Sequence, residues 1–249
     1  NGAVTGRMTH QSPNMAQVPA SHSPYGHECR SCWTVPVGKK LVGFDASGLE
    51  LRMLAHYMDD KEFTNVLLTE DIHTRNQLAA GLETRPQAKT FIYAFLYGAG
   101  DPKIGSIVGG NKADGKRLKA KFLANTPALS RLRERVQQAA RRGWLRGLDG
   151  RRIAVRSSHA ALNTLLQGAG AVVMKQALCN LVRLADANGL DYKIVGNIHD
   201  EIQSEVLIDH AETFGKLAVQ AVVEAGEQLN LRCPLAAEYK IGKDWSETH

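Results

Sequence analysis

The alternation of apolar and polar residues changes twice along the chain. Lys40-Leu41-Val42-Gly43-Phe44-Asp45 is a short apolar run bounded by turn residues, and it predicts a strand. Ala46-Ser47-Gly48 turns the chain, and Leu49 to Met58 then repeats with helical spacing through Leu51, Leu54, Ala55 and Met58. Asp71 is placed to cap a helix running to about Gly81. Thr84 caps the next, with Pro86 in its first turn and a stop at Gly98-Ala99-Gly100. Shorter helices follow. Gly147 to Gly150 marks a hairpin turn, and Ser158 to about Asn188 predicts a long helix. Tyr192 to Leu207 alternates as two strands about His199-Asp200. A helix over roughly Asp209–Leu229 and a strand over Ala236–Ile241 complete the pattern, while residues 1 to about 35 are predicted to be mostly loop. Strands at both ends with helices between predict an α+β fold: a sheet domain interrupted by a helical insertion.

Composition changes this picture in one respect. The 249 residues carry 31 basic and 25 acidic side chains, but Lys112 to Arg146 alone holds 11 basic against 2 acidic. A basic insertion on a slightly acidic remainder suits a polyanionic partner and a site that holds cations. The bland alternative is a solvated helical face. No stretch is expected to reach the roughly 20 uncharged apolar residues of a membrane span. Cys29 and Cys32 form a C-x-x-C pair, but Cys179 and Cys233 supply no second pair for zinc, so free thiols are expected.

Three clusters could carry chemistry. Asp45 ends an apolar strand, where its carboxylate could meet a hard cation. Asp200 lies 155 residues later, followed by Glu201, in a tight hairpin whose strand could be its neighbour. Two carboxylates brought together call for a divalent ion, and Mg²⁺ is commonly held by one or two carboxylates plus substrate phosphates. Arg85, Lys89, Tyr93 and Tyr97 recur every four residues and form one helical stripe, two cations followed by two aromatics. That order suits phosphates and then a sugar or base. His73 could add a donor. Taken singly, each has a plain alternative: a polar turn, snorkelling cations, core tyrosines.

Asp45 to Arg52, Thr84 to Gly100 and His199-Asp200-Glu201 resemble motifs A, B and C of the DNA polymerase I family, family A. Asp71-Ile72-His73-Thr74, Lys89-Thr90-Phe91-Ile92-Tyr93 and Ser158-His159-Ala160-Ala161-Leu162-Asn163 look like the replicative enzymes of short-tailed bacterial viruses. The resemblance implies an antiparallel-sheet palm over 1–57 and 158–249, with a helical fingers domain inserted at 58–157. A thumb, and usually an exonuclease domain, are expected ahead of this portion, and the segment near 137–150 looks shorter than in the family. The activity implied is template-directed addition of deoxynucleotides to a primer 3′ end during viral DNA replication.

By the same resemblance, Asp45 and Asp200 would hold two Mg²⁺ ions with help from the Ala46 carbonyl. Glu201 would support them. Arg85, Lys89 and His73 would grip the triphosphate, with Lys89 the proton donor to pyrophosphate. Tyr93 and Glu50 would lie against the sugar, and Tyr97 near the templating base, where Gly98 and Gly100 leave room. Arg7, His159 and Gln167 would meet the minor groove, and Asn163 could share their face. The partners implied are primer–template DNA and deoxynucleoside triphosphates in the cytoplasm of an infected bacterium, with no membrane. A processivity factor would dock on a domain outside this portion. The rivals are a non-catalytic nucleic-acid-binding fragment, a single-subunit RNA polymerase, which the carboxylate of Glu50 disfavours, and a metal-dependent nuclease, which leaves the helical stripe unexplained.

Overall fold

The computed structural model describes residues 2–248. In chain order the first elements are α1 (Gly26–Ser31), β1 (Lys39–Ala46), α2 (Leu49–Met58), α3 (Lys61–Thr69), α4 (Ile72–Ala80) and α5 (Arg85–Leu96). Then come α6 (Asp101–Ser106), α7 (Lys112–Asn125), α8 (Pro127–Ala140), and the short strands β2 (Trp144–Arg146) and β3 (Arg152–Ala154). The long α9 (Ala161–Ala187), β4 (Tyr192–Ile198), β5 (Glu201–Leu207), α10 (Ala211–Gln228) and β6 (Ala237–Gly242) follow. The chain divides into two compact units, Asn1–Leu49 with Gly168–His249, and Glu50–Gln167.

The first unit is built on a four-stranded sheet in the order β4-β5-β1-β6, with every neighbour antiparallel. β1 is central. Its Val42, Phe44 and Ala46 alternate onto one face and are buried, as are Ile202 and Val206 on β5. α10 packs on β1, β5 and β6 with its small and apolar face, Phe214, Ala218, Ala221, Val222 and Ala225. α9 is tied to α10 by a polar cluster: Asn180 donates to the Ala221 carbonyl at 3.2 Å and to Gln228, and Arg183 pairs with Glu224 at 2.7 Å. The other face of the sheet is polar. At its centre is Gly43, where a Cβ would lie 2.3 Å from the Gln203 amide nitrogen and 2.5 Å from the Thr248 carbonyl.

The second unit is helical. Asp60, Asp71, Thr84 and Asn111 cap α3, α4, α5 and α7 with their side chains. The Thr84 cap is reciprocal, because Gln87 accepts from the Thr84 N–H in return. Gly81 closes α4 in the left-handed region at φ 70°. The core gathers Phe91 and Phe95 of α5 around Phe122 of α7, with Phe91 and Phe122 edge to face at 5.0 Å. At the hairpin the Arg142 and Arg152 guanidinium groups each lie over the Trp144 ring, 4.0 and 4.6 Å from its centre.

One expectation holds and two are corrected. Residues 1–35 are mostly loop as expected, interrupted by α1 and a 3-10 turn at Met15–Gln17. α3, which the apolar spacing did not signal, is present and capped by Asp60. Ser158–Ala187 does have the length and composition of a membrane span; 61% of its apolar window is buried, as in a core helix. The expectation of no such stretch fails because one helix serves as a long apolar spine.

Candidate active site

In the sheet unit, strand pairing brings the acidic residues together. Asp45 lies opposite Glu201 on β5 and opposite Glu238 on β6. The Ala46 N–H donates to the Asp200 carbonyl at 3.3 Å. Asp45-Ala46 and Asp200-Glu201 are therefore adjacent across one strand pair, despite their distance in sequence. The turn depends on His199, whose φ of 61° is left-handed. Asp45 is exposed, so a solvent-borne group can reach its carboxylate. The donors here are oxygens, and no cluster of three or more His, Cys, Asp or Glu stands ready among the described residues. That set fits Mg²⁺, which is commonly completed by water and substrate phosphate rather than by an all-protein cage.

Glu201 is not the polar turn residue of the bland alternative. It is 5% exposed, and its Oε1 accepts from Trp245 Nε1 and Gln203 Nε2, both at 2.6 Å. Arg30 of α1 stacks over the Trp245 ring at 4.4 Å and donates through Nε to the Pro19 carbonyl. Burial lowers the Arg30 pKa, and the nearby Glu201 charge opposes that shift. Thr248 donates to Gln203 Oε1 at 2.8 Å. Sequence reading missed Arg30, Gln203 and Trp245 altogether. Their shared signal, buried polar side chains at one end of a sheet, exists only in three dimensions.

In the helical unit, α5 carries the stripe. Ala88, Phe91, Ile92, Phe95 and Leu96 form the buried face. Arg85 and Lys89 are exposed, Tyr93 is half-buried and Tyr97 is 46% exposed. Tyr97 is thus not a core tyrosine, and Tyr93 is only partly buried. The rings of Tyr93 and Tyr97 lie 6.3 Å apart, and that of His73 lies 6.1 Å from Tyr93. Glu50 on α2 accepts from the Tyr97 hydroxyl at 3.3 Å. Lys89 makes no ion pair among the described residues. Arg85 is held side-on by Asp71, through Nε to Oδ2 and through Nη2 to Oδ1 at 3.2 Å. The Arg85 bond holds the Asp71 carboxyl well below the usual range, and the same pairing raises Arg85. His73 is pushed down, first by burial, then by the Arg85 charge. Its Nδ1 is buried without a hydrogen-bond partner.

The residues expected to meet DNA fall in both units. Arg7 belongs to the sheet unit, whereas His159 and Gln167 belong to the helical unit. His159 is exposed, and Asn163 and Gln167 are half-buried. The two glycines at the end of α5 differ in their surroundings. A Cβ on Gly98, at φ 76°, would lie 2.7 Å from the His159 carbonyl, so this chain's own backbone fills that space. At Gly100 a side chain would meet only Pro102, at an ordinary 3.6 Å. A polar cleft of about 430 Å³ opens nearby, lined by Gly98, Asp101, Lys119, Arg133 and His159 among others. Within the basic stretch, Lys112, Lys116 and Lys121 are exposed. Lys119 is engaged, donating to the Ala99 carbonyl at 2.5 Å and pairing with Asp101 at 3.0 Å.

The chain is 48% identical over 282 aligned positions to the DNA-directed DNA polymerase of Enterobacteria phage T3 and 46% identical to that of Escherichia phage T7. All of this chain is covered in both, but only 40% of each relative. It is 26% identical to DNA polymerase I of Pseudomonas aeruginosa, covering 29% of that protein. The fold matches a solved structure described as "POL domain of Pol1 from M. smegmatis complex with DNA primer-template and dNTP". That match has a TM-score of 0.88 at 23% identity, over 99% of this chain and 47% of the other. The family profile described as DNA polymerase family A matches residues 1–247, and the chain belongs to that family.

Proposed function

We propose that this chain is the palm and fingers portion of a template-directed DNA polymerase. It would add deoxynucleotides to a primer 3′ end in the replication of a bacterial virus, within the infected cell. The observation that carries this reading is the adjacency of Asp45-Ala46 and Asp200-Glu201 on neighbouring strands. The names and organisms of the relatives support it. We assign the palm to 1–57 and 158–249 and the fingers to 58–157. A processivity partner would engage a part of the protein outside this portion.

Asp45 and Asp200, with the Ala46 carbonyl, are suited to hold two Mg²⁺ ions. Bound there, the ions would lower the pKa of the primer hydroxyl and neutralise the triphosphate. Glu201, fixed by Trp245 and Gln203, supports the carboxylate pair from within the sheet. Arg85 and Lys89 hold the phosphates, and Lys89 delivers a proton to the departing pyrophosphate. His73, with its depressed pKa, stays neutral near pH 7 and donates a neutral hydrogen bond. Glu50 is steadied by Tyr97 and obstructs a 2′-hydroxyl, which favours deoxynucleotides over ribonucleotides. Tyr93 lies against the sugar. Arg7, His159 and Gln167 contact minor-groove acceptors shared by all base pairs. In-line transfer asks mainly for positioning and charge stabilisation, and these groups supply both.

Asp45→Asn and Asp200→Asn should each reduce primer extension about a thousandfold at saturating Mg²⁺, while DNA binding is retained. Extension near the normal rate by either variant would overturn the assignment. Ribonucleotides used as readily as deoxynucleotides would favour the RNA polymerase reading instead.

A further inference from the structure

The phosphate-binding face contains a group that ought to repel phosphate. Asp71 is 39% exposed at the side chain and sits directly against Arg85. A carboxylate beside a triphosphate raises the cost of binding an anion, so its presence needs another reason. Its bonding supplies one. Asp71 accepts from four donors: Arg85 Nε, Arg85 Nη2, the His73 N–H at 3.0 Å and the Thr74 hydroxyl at 3.0 Å. One carboxylate thus caps α4 and fixes the first residue of α5. The two helices carry the three candidate phosphate groups.

The edge of Arg85 that is used decides the matter. A guanidinium has five N–H donors. Asp71 occupies the Nε–Nη2 edge, which leaves three donors on the Nη1–Nη2 side. Arg85 has no other partner among the described residues. Its cation also sits at the start of α5, the end of a helix where positive charge is unfavourable. Without a counter-ion, a long, half-exposed side chain there would sample many rotamers, and ordering it on binding costs entropy.

We propose that Asp71 is a positioning residue for the nucleotide triphosphate, holding Arg85 by one edge so that the opposite edge faces the phosphates. The proposal rests on the reading of α5 as the nucleotide helix. Asp71 remains bonded when the nucleotide is bound; it orients Arg85 and does not compete for it.

The test is a double-mutant cycle in the intact protein. Asp71→Asn keeps the size of the side chain and the ability to cap α4 but removes the charge. It should raise KM about tenfold for deoxynucleotides in extension and for pyrophosphate in the reverse reaction. Meanwhile kcat should change less than about twofold. Arg85→Lys cannot be gripped in a fork. In that background Asp71→Asn should change either KM less than about twofold. An undiminished effect there, or a kcat loss accompanied by a lower melting temperature, would reduce Asp71 to a structural cap and overturn the proposal. If Arg85→Ala raises KM but Asp71→Asn does not, the Asp71 role alone fails. If Arg85→Ala leaves KM unchanged, the reading of α5 fails and takes the proposal with it.

Discussion

The two units assemble their candidate groups by opposite routes. In the sheet unit, Asp45 comes beside Asp200 and Glu201 only because β1 pairs with β5, whose Glu201 lies 156 residues after Asp45. In the helical unit, Arg85, Lys89, Tyr93 and Tyr97 share a face because one helix repeats every 3.6 residues. The first arrangement is cooperative, and an error anywhere in the register misplaces every carboxylate. The second is modular: each side chain can be altered with its neighbours left in place.

The hardest test of that contrast is Gly43→Val. Its side chain would meet the Gln203 amide and the Thr248 carbonyl, both part of the network that holds Glu201. We expect a stability loss of about 1–3 kcal/mol by overpacking, together with loss of nucleotide addition. Chemical denaturation and primer extension measure the two effects. A stable variant with normal extension would show that the sheet tolerates local change and would erase the contrast.

A smaller, selective effect is expected on the helix. Tyr93→Phe removes one hydroxyl from the stripe. If that hydroxyl replaces the missing 3′-hydroxyl of a dideoxynucleotide, its loss leaves a polar group without a partner, at about 1–3 kcal/mol. Discrimination against dideoxynucleotides should then rise about ten- to a hundredfold, with natural incorporation little changed. Competing both nucleotides in one reaction reads the ratio. An unchanged ratio would remove Tyr93 from the sugar.

The smallest effect concerns His73. Its folded pKa lies below its unfolded value, so the unfolded chain takes up a proton first as pH falls. Stability from this residue is full above about pH 6.5 and declines as pH drops through that value. Burial is the main cause of the depression, the Arg85 and Lys89 charges add to it, and Asp71 opposes it. His73→Gln should therefore lose less melting temperature than the parent between pH 7 and pH 5. Calorimetry showing equal losses would mean that His73 titrates as a free imidazole.

The same contrast explains what was legible in the sequence. The Thr84 cap with Pro86, the Asp71 cap and the Gly81 stop are local signals, and each appears where its residue type predicts. Strand existence was local too, through the runs at 40–45, 192–207 and 236–241. What escaped was non-local. Nothing in Arg30 announces that it stacks on Trp245, 215 residues away, or that Trp245 donates to Glu201. Gly98 was legible as a place of close approach, but not that the His159 carbonyl is what approaches. Asp71 was read as a cap, and its grip on Arg85 was hidden because the two residues lie on different helices.

The position of β1 at the centre of its sheet also orders the chain's assembly in time. Its two neighbours are β5 and β6, Glu201–Leu207 and Ala237–Gly242. A nascent chain therefore finishes the whole of Glu50–Gln167, rich in short-range contacts, before either neighbour has been synthesised. Until then β1 carries two open edges, the kind of surface that pairs with a wrong strand. Non-local pairing is the slow step in such topologies. Translation across residues 47–242, rather than the rate at which the helices form, thus sets how long β1 waits for both neighbours.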